Sequence, residues 1–483
     1  MKYEAVIGLE VHARLKTHSK IFCSCPAEFG AAPNVNICPV CTGQPGTLPV
    51  LNEKAVEYIV RTGLALGCAI NRRSVFARKQ YFYPDLPKNY QISQYELPVC
   101  GPGFIEIEPE TGTKKIGVTR IHLEEDAGKL LHAIGARELD YSLVDYNRTG
   151  VPLMEIVSDP DMHSPQEAFL YLAALKNILE YLGVCDCNME EGKFRCDANV
   201  SIRPEGQQKL GTKVELKNMN SLSGVRDAIA FEIERQAEVL SSGGAIVQET
   251  RLWDTERGTT VSMRTKEEAH DYRYFPEPDL VPIELDERHI EEIRRGLPEL
   301  PAARKSRFIS QMALSEYDAG VITADKGLAD YYENVLRDIP AAGPDTPKTV
   351  ANWLSTELLG RLNGANKTIH ESPVTPGALA GLITLITDAT ISGKMAKAVF
   401  DEMFSSGRPA GDIVKERGLV QISDEGAVGK LCDEAIAENP KAVAEFKSGK
   451  ERALGSLVGA VMKKSSGRAN PQLANKILKE KLS

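Results

Sequence analysis

The sequence predicts an α+β fold in its N-terminal part and an all-α remainder, on three observations. Between residue 1 and about residue 290, strand-like segments separated by turn signals are interrupted by only two long helical patterns. Beyond "PEPDLVPIEL" the texture changes to Ala, Leu, Glu and Lys at helical spacing. A chain of 483 residues also exceeds the size at which one hydrophobic core keeps growing, so about two to four domains are expected.

The strand-like segments are, in order, "VIGLEVHARL", "KQYFYPDLPKNYQISQY", "FIEIE", "KIGVTRIHLEEDAGKLL", "LDYSLVDYNRTGVPLMEIVS" and "RCDANVSIRP". The first helix is "HSPQEAFLYLAALKNILEYLGV", with Ser164 as N-cap, Pro165 at the first helical position, Glu167 as capping-box partner and Gly183 as the stop. The second, "NSLSGVRDAIAFEIERQAEVLSSGG", closes on Gly243 and Gly244. Strands followed by long helices imply a mixed sheet with helices on one face. The later helical sequence is broken at "GLPELPA", "IPAAGPDTP", "HESPVTPGA" and "SSGRPAG". A boundary near residue 292 and a linker near 408, built on Gly407, Pro409 and Gly411, give expected domains 1–292, 293–408 and 409–483.

Composition excludes whole classes of function. With 26% charged and 42% hydrophobic residues, no apolar run approaches the roughly 18 residues of a membrane span. The N-terminus enters strand-like sequence without a basic region or an apolar signal core, so a cytoplasmic protein without a membrane partner is expected. The net charge of -9 is unevenly spread: residues 441–483 hold 10 Lys or Arg against 3 Asp or Glu, a balance of +7, which leaves -16 for the rest. Such a basic end is either an electrostatic footprint for nucleic acid or a solvated helix face.

Ten cysteines without an export signal argue for reduced thiols. Cys23, Cys25, Cys38 and Cys41 form C-x-C-x12-C-x2-C, two close pairs that can close a tetrahedral thiolate site around a structural Zn2+; the alternative is four unliganded thiols. Cys185, Cys187 and Cys196 have no evident fourth ligand and read as packing residues.

Glu10 and His12 stand two apart in an apolar strand, so they project from the same face. Further acidic groups fall in "HLEEDAG" (Glu124, Glu125, Asp126), "NMEEGKFRCDANVSI" (Glu190, Glu191, Asp197), "GTKVELKN" (Glu215) and "PLMEIVSDPD" (Glu155, Asp159). Carboxylates inside strands are costly unless paired or metal-bound, which suggests an oxygen-rich Mg2+ site that Glu10 and His12 complete. Solvent-facing strand edges with Lys and Arg partners are the competing reading. Lys79, Lys88 and several tyrosines flank the prolines of "RKQYFYPDLPKNYQISQY", and Thr149 and Gly150 form a turn in "NRTGVPL"; both suit a phosphate or a carboxylated substrate. No G-x-x-x-x-G-K-[ST] motif occurs, so bound ATP would not sit in a Walker A loop.

Taken together, "VIGLEVHARL", "ARKQYFYPDLPKNYQISQY", "IHLEEDAGK", "DYNRTGVPLMEIVSDPD", "GTKVELKNMNS", "TRLWD", "YRYFPEPDL" and "GSLVGAVMKKSSGRANPQLANKIL" strongly resemble the B subunits of bacterial tRNA-dependent amidotransferases, from residue 4 to the C-terminus. The resemblance implies a cradle-shaped α+β catalytic domain, a helical domain and a small helical tail. It also implies a ligase activity on aspartyl-tRNA(Asn), glutamyl-tRNA(Gln) or both: ATP phosphorylates the side-chain carboxyl, and ammonia displaces the phosphate. An amidase A subunit and a small C subunit are the implied partners, since no Gly/Ser-rich amidase signature is present to make ammonia.

By the same resemblance the metal site falls on Glu10, His12, Glu125 and Glu215, with Asp197 and Glu190 as candidates for a second, transient Mg2+. Lys79 and Tyr81 are implied to guide ammonia or hold the acyl end, and Tyr83, Lys88, Thr149 and Gly150 to contact the nucleotide. All four cysteines that some family members carry are present. The helical and tail domains are implied to grip tRNA, and in the basic tail Lys463, Lys464 and Arg468 are expected near its phosphates. The alternatives are the E subunit of the two-chain glutamate-specific enzyme, which carries an insertion not visible here, and a non-catalytic tRNA-binding scaffold, which has no use for the acidic cluster.

Overall fold

The computed structural model describes residues 2–482 apart from 136, 266–271, 341, 420, 421, 423, 449, 466 and 467. The chain divides into two compact units, Met1–Leu300 and Pro301–Ser483.

The first unit is α+β. Its strands are β1 (Tyr3–Arg14), β2 (Arg73–Ser74), β3 (Ala77–Gln80), β4 (Tyr90–Ser93), β5 (Gly103–Ile107), β6 (Lys114–Glu125), β7 (Lys129–Ile134) and β8 (Arg137–Asp145). They continue with β9 (Pro152–Ser158), β10 (Phe194–Pro204), β11 (Val214–Lys217), β12 (Glu249–Asp254), β13 (Thr259–Thr265), β14 (Phe275–Pro276) and β15 (Ile283–Glu284). Helices α1 (Glu53–Ala65), α2 (Pro165–Leu182), α3 (Leu222–Ser241) and α4 (Glu287–Arg295) complete it. The main sheet runs in the order β13-β12-β11-β10-β1-β9-β6-β5, and the parallel pairing of β11 with β12 makes it mixed, as expected.

Strict alternation on β1 decides the layering. Ile7, Leu9 and Val11 are buried against an apolar core shared with Ala198 and Val200 of β10, Leu172, Leu175 and Leu179 of α2, and Val225 and Ile229 of α3. The intervening side chains, Glu10 and His12 among them, belong to the opposite, polar face. α2 begins where its sequence predicts: Ser164 Oγ accepts from the Glu167 N–H at 3.1 Å, and Gly183 ends it at φ 69. Glu167 departs from a strict capping box, because its carboxylate accepts from His163 N–H at 2.7 Å. α3 closes with Gly243 and Gly244 donating to the carbonyls of Leu240 and Val239.

The segment "KQYFYPDLPKNYQISQY", expected to be strand-like, is strand only at β3 and β4 and a turn between them. Pro84 and Pro87 lack the N–H that a continuous ladder needs. β14, β3 and β4 make a small separate sheet.

In the second unit come α5 (Pro301–Met312), α6 (Glu316–Thr323), α7 (Lys326–Asp338) and α8 (Thr346–Asn352), the last running through a π-helical segment (Trp353–Leu358) into α9 (Leu359–Gly364). α10 (Pro376–Thr387), α11 (Gly393–Ser406), α12 (Ala410–Glu416), α13 (Glu425–Glu438), α14 (Pro440–Lys447), α15 (Arg452–Lys464) and α16 (Pro471–Leu482) follow. Two expected boundaries read differently here. Residue 292 falls inside α4, and the compact units divide instead at Leu300, within the "GLPELPA" break. Of the linker expected near 408, only residues 407–409 lie outside helix; Gly411 already belongs to α12, which buries Ala410, Ile413 and Val414 and packs on α10 and α11. The helices α13–α16 have a core of their own, including Val428, Cys432, Leu454, Leu457, Val461 and Leu478.

Candidate functional site

The polar face of the main sheet gathers charged groups because its strands are in register. Glu10 lies opposite Asp197, His12 opposite Arg195 on one side and Glu155 on the other, His122 opposite Glu155, and Glu215 opposite Asn199. With side chains alternating at period two, every one of these groups falls on the same face as Glu10.

The centre of the row is His12, whose Nε2 stands 3.5 Å from Glu155 Oε2 and 3.8 Å from Glu124 Oε1. His122 Nε2 lies 3.3 Å from the same Glu155 oxygen, and its buried Nδ1 has no hydrogen-bond partner. Burial pulls both imidazoles towards the neutral form, but the two carboxylates outweigh it: His12 is held above the ordinary histidine value and His122 is pushed up to about 9. Glu155, despite its burial, is held well below the carboxylate range by His122 and His12. His12, Glu124 and Glu155 each offer a ligand atom, and these atoms lie within 4.8 Å of one another. Two carboxylates and an imidazole are a suitable donor set for a hard divalent cation.

Along the row, Asn199 Nδ2 donates to Glu10 Oε1 at 3.1 Å. Lys217 Nζ is bonded to Asp197 and lies 3.5 Å from Glu215 Oε1, while Thr250 Oγ1 donates to Glu215 Oε2 at 2.7 Å. Burial lowers the affinity of Lys217 for its proton, but the Asp197 and Glu215 charges reverse the sign and hold it above the ordinary lysine value. Lys79, on β3, behaves likewise under Glu124 and Glu155, with its Nζ 4.9 Å from the centre of the Tyr272 ring. Arg195 grips Asp126 through two bonds of 3.2 and 3.1 Å.

Glu10, His12, Asp197 and Glu215 therefore share one face of the sheet. Glu125 is not among them. As the next residue after Glu124 it turns to the other side of β6, where its carboxylate bonds Lys88 Nζ at 2.5 and 2.6 Å and accepts from Ile92 N–H at 2.8 Å. In its place the structure sets Glu124 and Glu155 beside His12. Glu190 is exposed in the turn before β10, where its N–H donates to Asn188 Oδ1 at 3.0 Å.

The four residues singled out for a nucleotide are divided. Tyr83 lines an open cleft with Lys79 and Tyr81, whereas Lys88 and Gly150 line a small cavity with Glu125 and Cys41. Thr149 is buried with its hydroxyl unpartnered, one residue before the positive-φ Gly150.

The four organised cysteines converge: Cys23, Cys25, Cys38 and Cys41 have their Sγ atoms within 4.8 Å of one another. Cys38 N–H donates to Cys41 Sγ at 3.2 Å. A bond from Cys23, and the nearby Lys20 cation, bring the Cys41 thiol down to about 4, while burial pushes Cys25 up to about 11. Lys20 is fully buried, with Nζ 3.5 Å from Cys41 Sγ and 3.3 Å from the Tyr146 carbonyl. Sequence reasoning missed it, because a lysine in a polar loop carries no mark of burial. The arrangement fits a closed tetrahedral metal site, whose four thiolates outweigh a divalent cation and welcome a buried ammonium. Cys185, Cys187 and Cys196 are buried in the apolar core, as packing residues.

In the tail, Lys463 and Arg468 are exposed, and Arg468 Nε donates to the Ser465 carbonyl at 3.3 Å. Lys464 is engaged, bonding Glu438 at 2.7 Å and Glu434 at 3.1 Å. Among the described residues no helix is long and apolar enough to cross a membrane.

Residues 5–291 match the family model described as GatB/GatE catalytic domain, and residues 330–482 the one described as GatB domain. A protein of Carboxydothermus hydrogenoformans, named as the B subunit of an aspartyl/glutamyl-tRNA(Asn/Gln) amidotransferase, is 57% identical over 481 residues, covering 100% of this chain and 99% of that protein. A protein of the same name from Caldanaerobacter subterraneus is 59% identical over 483 residues, with both chains covered in full. One from Geobacter sp. strain M21 is 55% identical over the same length, again with full coverage of both.

Proposed function

The chain belongs to the GatB/GatE catalytic-domain family, and from that premise we propose that it is the subunit of a tRNA-dependent amidotransferase that converts Asp-tRNA(Asn), Glu-tRNA(Gln) or both to the amidated forms. A side-chain carboxylate oxygen of the misplaced amino acid attacks the γ-phosphorus of ATP, ADP leaves, and an acyl phosphate forms. The nitrogen of ammonia then attacks the acyl carbon, inorganic phosphate departs, and the nitrogen gives up a proton. Ammonia comes from an amidase A subunit, with a small C subunit completing a cytoplasmic heterotrimer.

The observation that carries this reading is the acidic row on the polar face of the sheet, flanked by two lysines. Lys217, anchored between Asp197 and Glu215, and Lys79, under the charge of Glu124 and Glu155, set cations where the attacking carboxylate and the phosphoryl oxygens gather negative charge. His12, Glu124 and Glu155 would hold one Mg2+, and Glu10, Asp197 and Glu215, on the same face of the sheet, would be the candidates for a second; bound there, Mg2+ supplies charge neutralisation for ATP. Cys23, Cys25, Cys38 and Cys41 would hold a structural Zn2+, with Lys20 offsetting the surplus negative charge. The helical segments 293–408 and 409–483 would grip the tRNA. A scaffold without chemistry leaves the buried row unexplained, and full-length correspondence to relatives named as B subunits favours that role over the E subunit's.

The test is a single-turnover assay of the assembled complex with misacylated tRNA and ATP, trapping the acyl phosphate with hydroxylamine. Wild-type protein should give a stoichiometric hydroxamate, and Glu155→Gln should slow its formation about 10³-fold or more, as loss of a group that stabilises developing charge implies. A wild-type complex that forms no trapped acyl group removes the proposal.

A further inference from the structure

An open cleft of about 550 Å³ adjoins the acidic row. Its inner wall includes Lys217, which bonds Asp197, and Thr250, which bonds Glu215. Its outer wall is aromatic: Phe82 and Tyr83 are 68% and 54% exposed, on the proline-stiffened turn between β3 and β4. That turn is held in place, since Tyr146 Oη donates to the Pro84 carbonyl at 2.9 Å and Leu86 N–H to the Tyr83 carbonyl at 2.9 Å. Nothing in the chemistry of the acidic row uses two large exposed rings.

From Tyr81 in the cleft a run of rings leads on. Tyr81 and Tyr272 meet edge-on at 6.2 Å between centroids, Tyr272 and Tyr274 at 6.0 Å, and Tyr274 stacks on the half-exposed Tyr95 at 4.4 Å. Lys79 stands over Tyr272, and Arg273 lies in the cleft wall. Aromatic faces interleaved with cations are the physical signature of a seat for unpaired nucleotides, the rings taking bases and the cations taking phosphates.

We propose that this cleft seats the unpaired 3′-terminal nucleotides of the aminoacyl-tRNA, with the terminal adenine against Phe82 and Tyr83. The inference rests on the amidotransferase reading above and adds the residues that position its substrate. The reacting carboxyl is only a few bonds from the terminal ribose, so the last base must lie within about a nucleotide's length of the row, and the cleft begins there. A lone mononucleotide such as ATP needs one stacking surface, whereas the sequence of rings suits a strand that continues outward. Phe82 and Tyr83 are thereby positioning residues, acting on where the substrate lies and not on the reacting atoms.

The experiment uses the assembled complex and deacylated cognate tRNA, intact or trimmed of its terminal adenosine. Trimming should weaken binding to the wild-type complex about tenfold, the usual scale of a base–aromatic stack. The double variant Phe82→Ala, Tyr83→Ala should bind intact tRNA about tenfold more weakly and lose nothing further on trimming; with both rings more than half exposed, its fold is not at stake. An undiminished trimming penalty in the variant, or none in the wild type, overturns the inference. So does a raised KM for ATP with an unaltered tRNA ratio, which would give the cleft to the nucleotide. A wild-type complex that binds tRNA yet forms no amide in parallel turnover with misacylated tRNA would instead overturn the functional reading.

Discussion

The polar face of the sheet and the helical tail are both rich in charge, but they treat it in opposite ways. In the sheet, Glu124, His122 and Glu155 are at most 9% exposed and face one another. In the tail, Lys463 and Arg468 stand in solvent, and Lys464, Lys476 and Lys481 reach acidic residues of the tail across exposed surface. A buried ion is stable only with a partner or ligand, and removing that partner costs several kcal/mol, whereas an exposed pair contributes little. The same residue types thus carry different information: in the sheet they mark a centre that something must complete, and in the tail they mark a surface that anions can visit.

The sharpest break in this comparison lies between neighbours. Glu124 and Glu125 are adjacent, yet one faces the row and the other is paired with Lys88 on the opposite side of β6. Glu125→Gln would leave the largely buried Lys88 ammonium without its counter-ion, and we expect a loss of about 3–5 kcal/mol in a urea titration. Glu124→Gln, after which Lys79 still has the charge of Glu155, should lose less stability and more of the phosphorylation rate. Equal stability of the two variants would mean that Lys88 relaxes into solvent.

That contrast also shows what the sequence could say. The α+β class, the bounds of α2, the common face of Glu10 and His12, and the clustering of four cysteines all follow from local periodicity and spacing. The choice of Glu124 over Glu125 requires knowing which face of β6 joins β1, and that is set by pairing through β9. Glu155 was visible as an acid within "PLMEIVSDPD", but only the register puts it between His12 and His122. The break at Leu300 was also written in the sequence, as "GLPELPA", yet the change of texture begins earlier with α4 and draws the boundary inward.

A second prediction probes the buried cation that sequence could not reveal. Lys20→Met keeps the stem of the side chain but removes the charge beside Cys41. Partners of this kind, one step out from a metal, typically change affinity by about 10- to 100-fold. Zinc release to a competing chelator should therefore occur at a correspondingly lower chelator concentration than in the wild type, which should carry about one zinc per chain as a closed four-ligand site implies. Identical retention in both would detach Lys20 from the cluster, and a wild type with four titratable thiols and no zinc would dispose of the metal site.

The smallest expected effects are in the tail, where the comparison can be made residue by residue. Lys463 and Arg468 are exposed, so each can exchange counter-ions for a tRNA phosphate, while Lys464 already satisfies two glutamates of α13. If the tail grips the tRNA backbone, Lys463→Ala with Arg468→Ala should lower the slope of log affinity against log salt by about 0.7 to 0.9 per lost contact. The change should be the same for each cognate tRNA, since phosphate contacts carry no sequence information. Lys464→Ala should change the slope by less than one such contact, because Glu434 and Glu438 compete with the phosphate for its ammonium. The measurement is a titration of each variant, assembled with its partner subunits, against tRNA at several salt concentrations. Should Lys464 carry as large a slope as Lys463, tRNA must displace both glutamates on binding, and the exposed pairs of the tail would then be latent phosphate sites; unchanged slopes throughout would leave the basic tail as a solvated helix face.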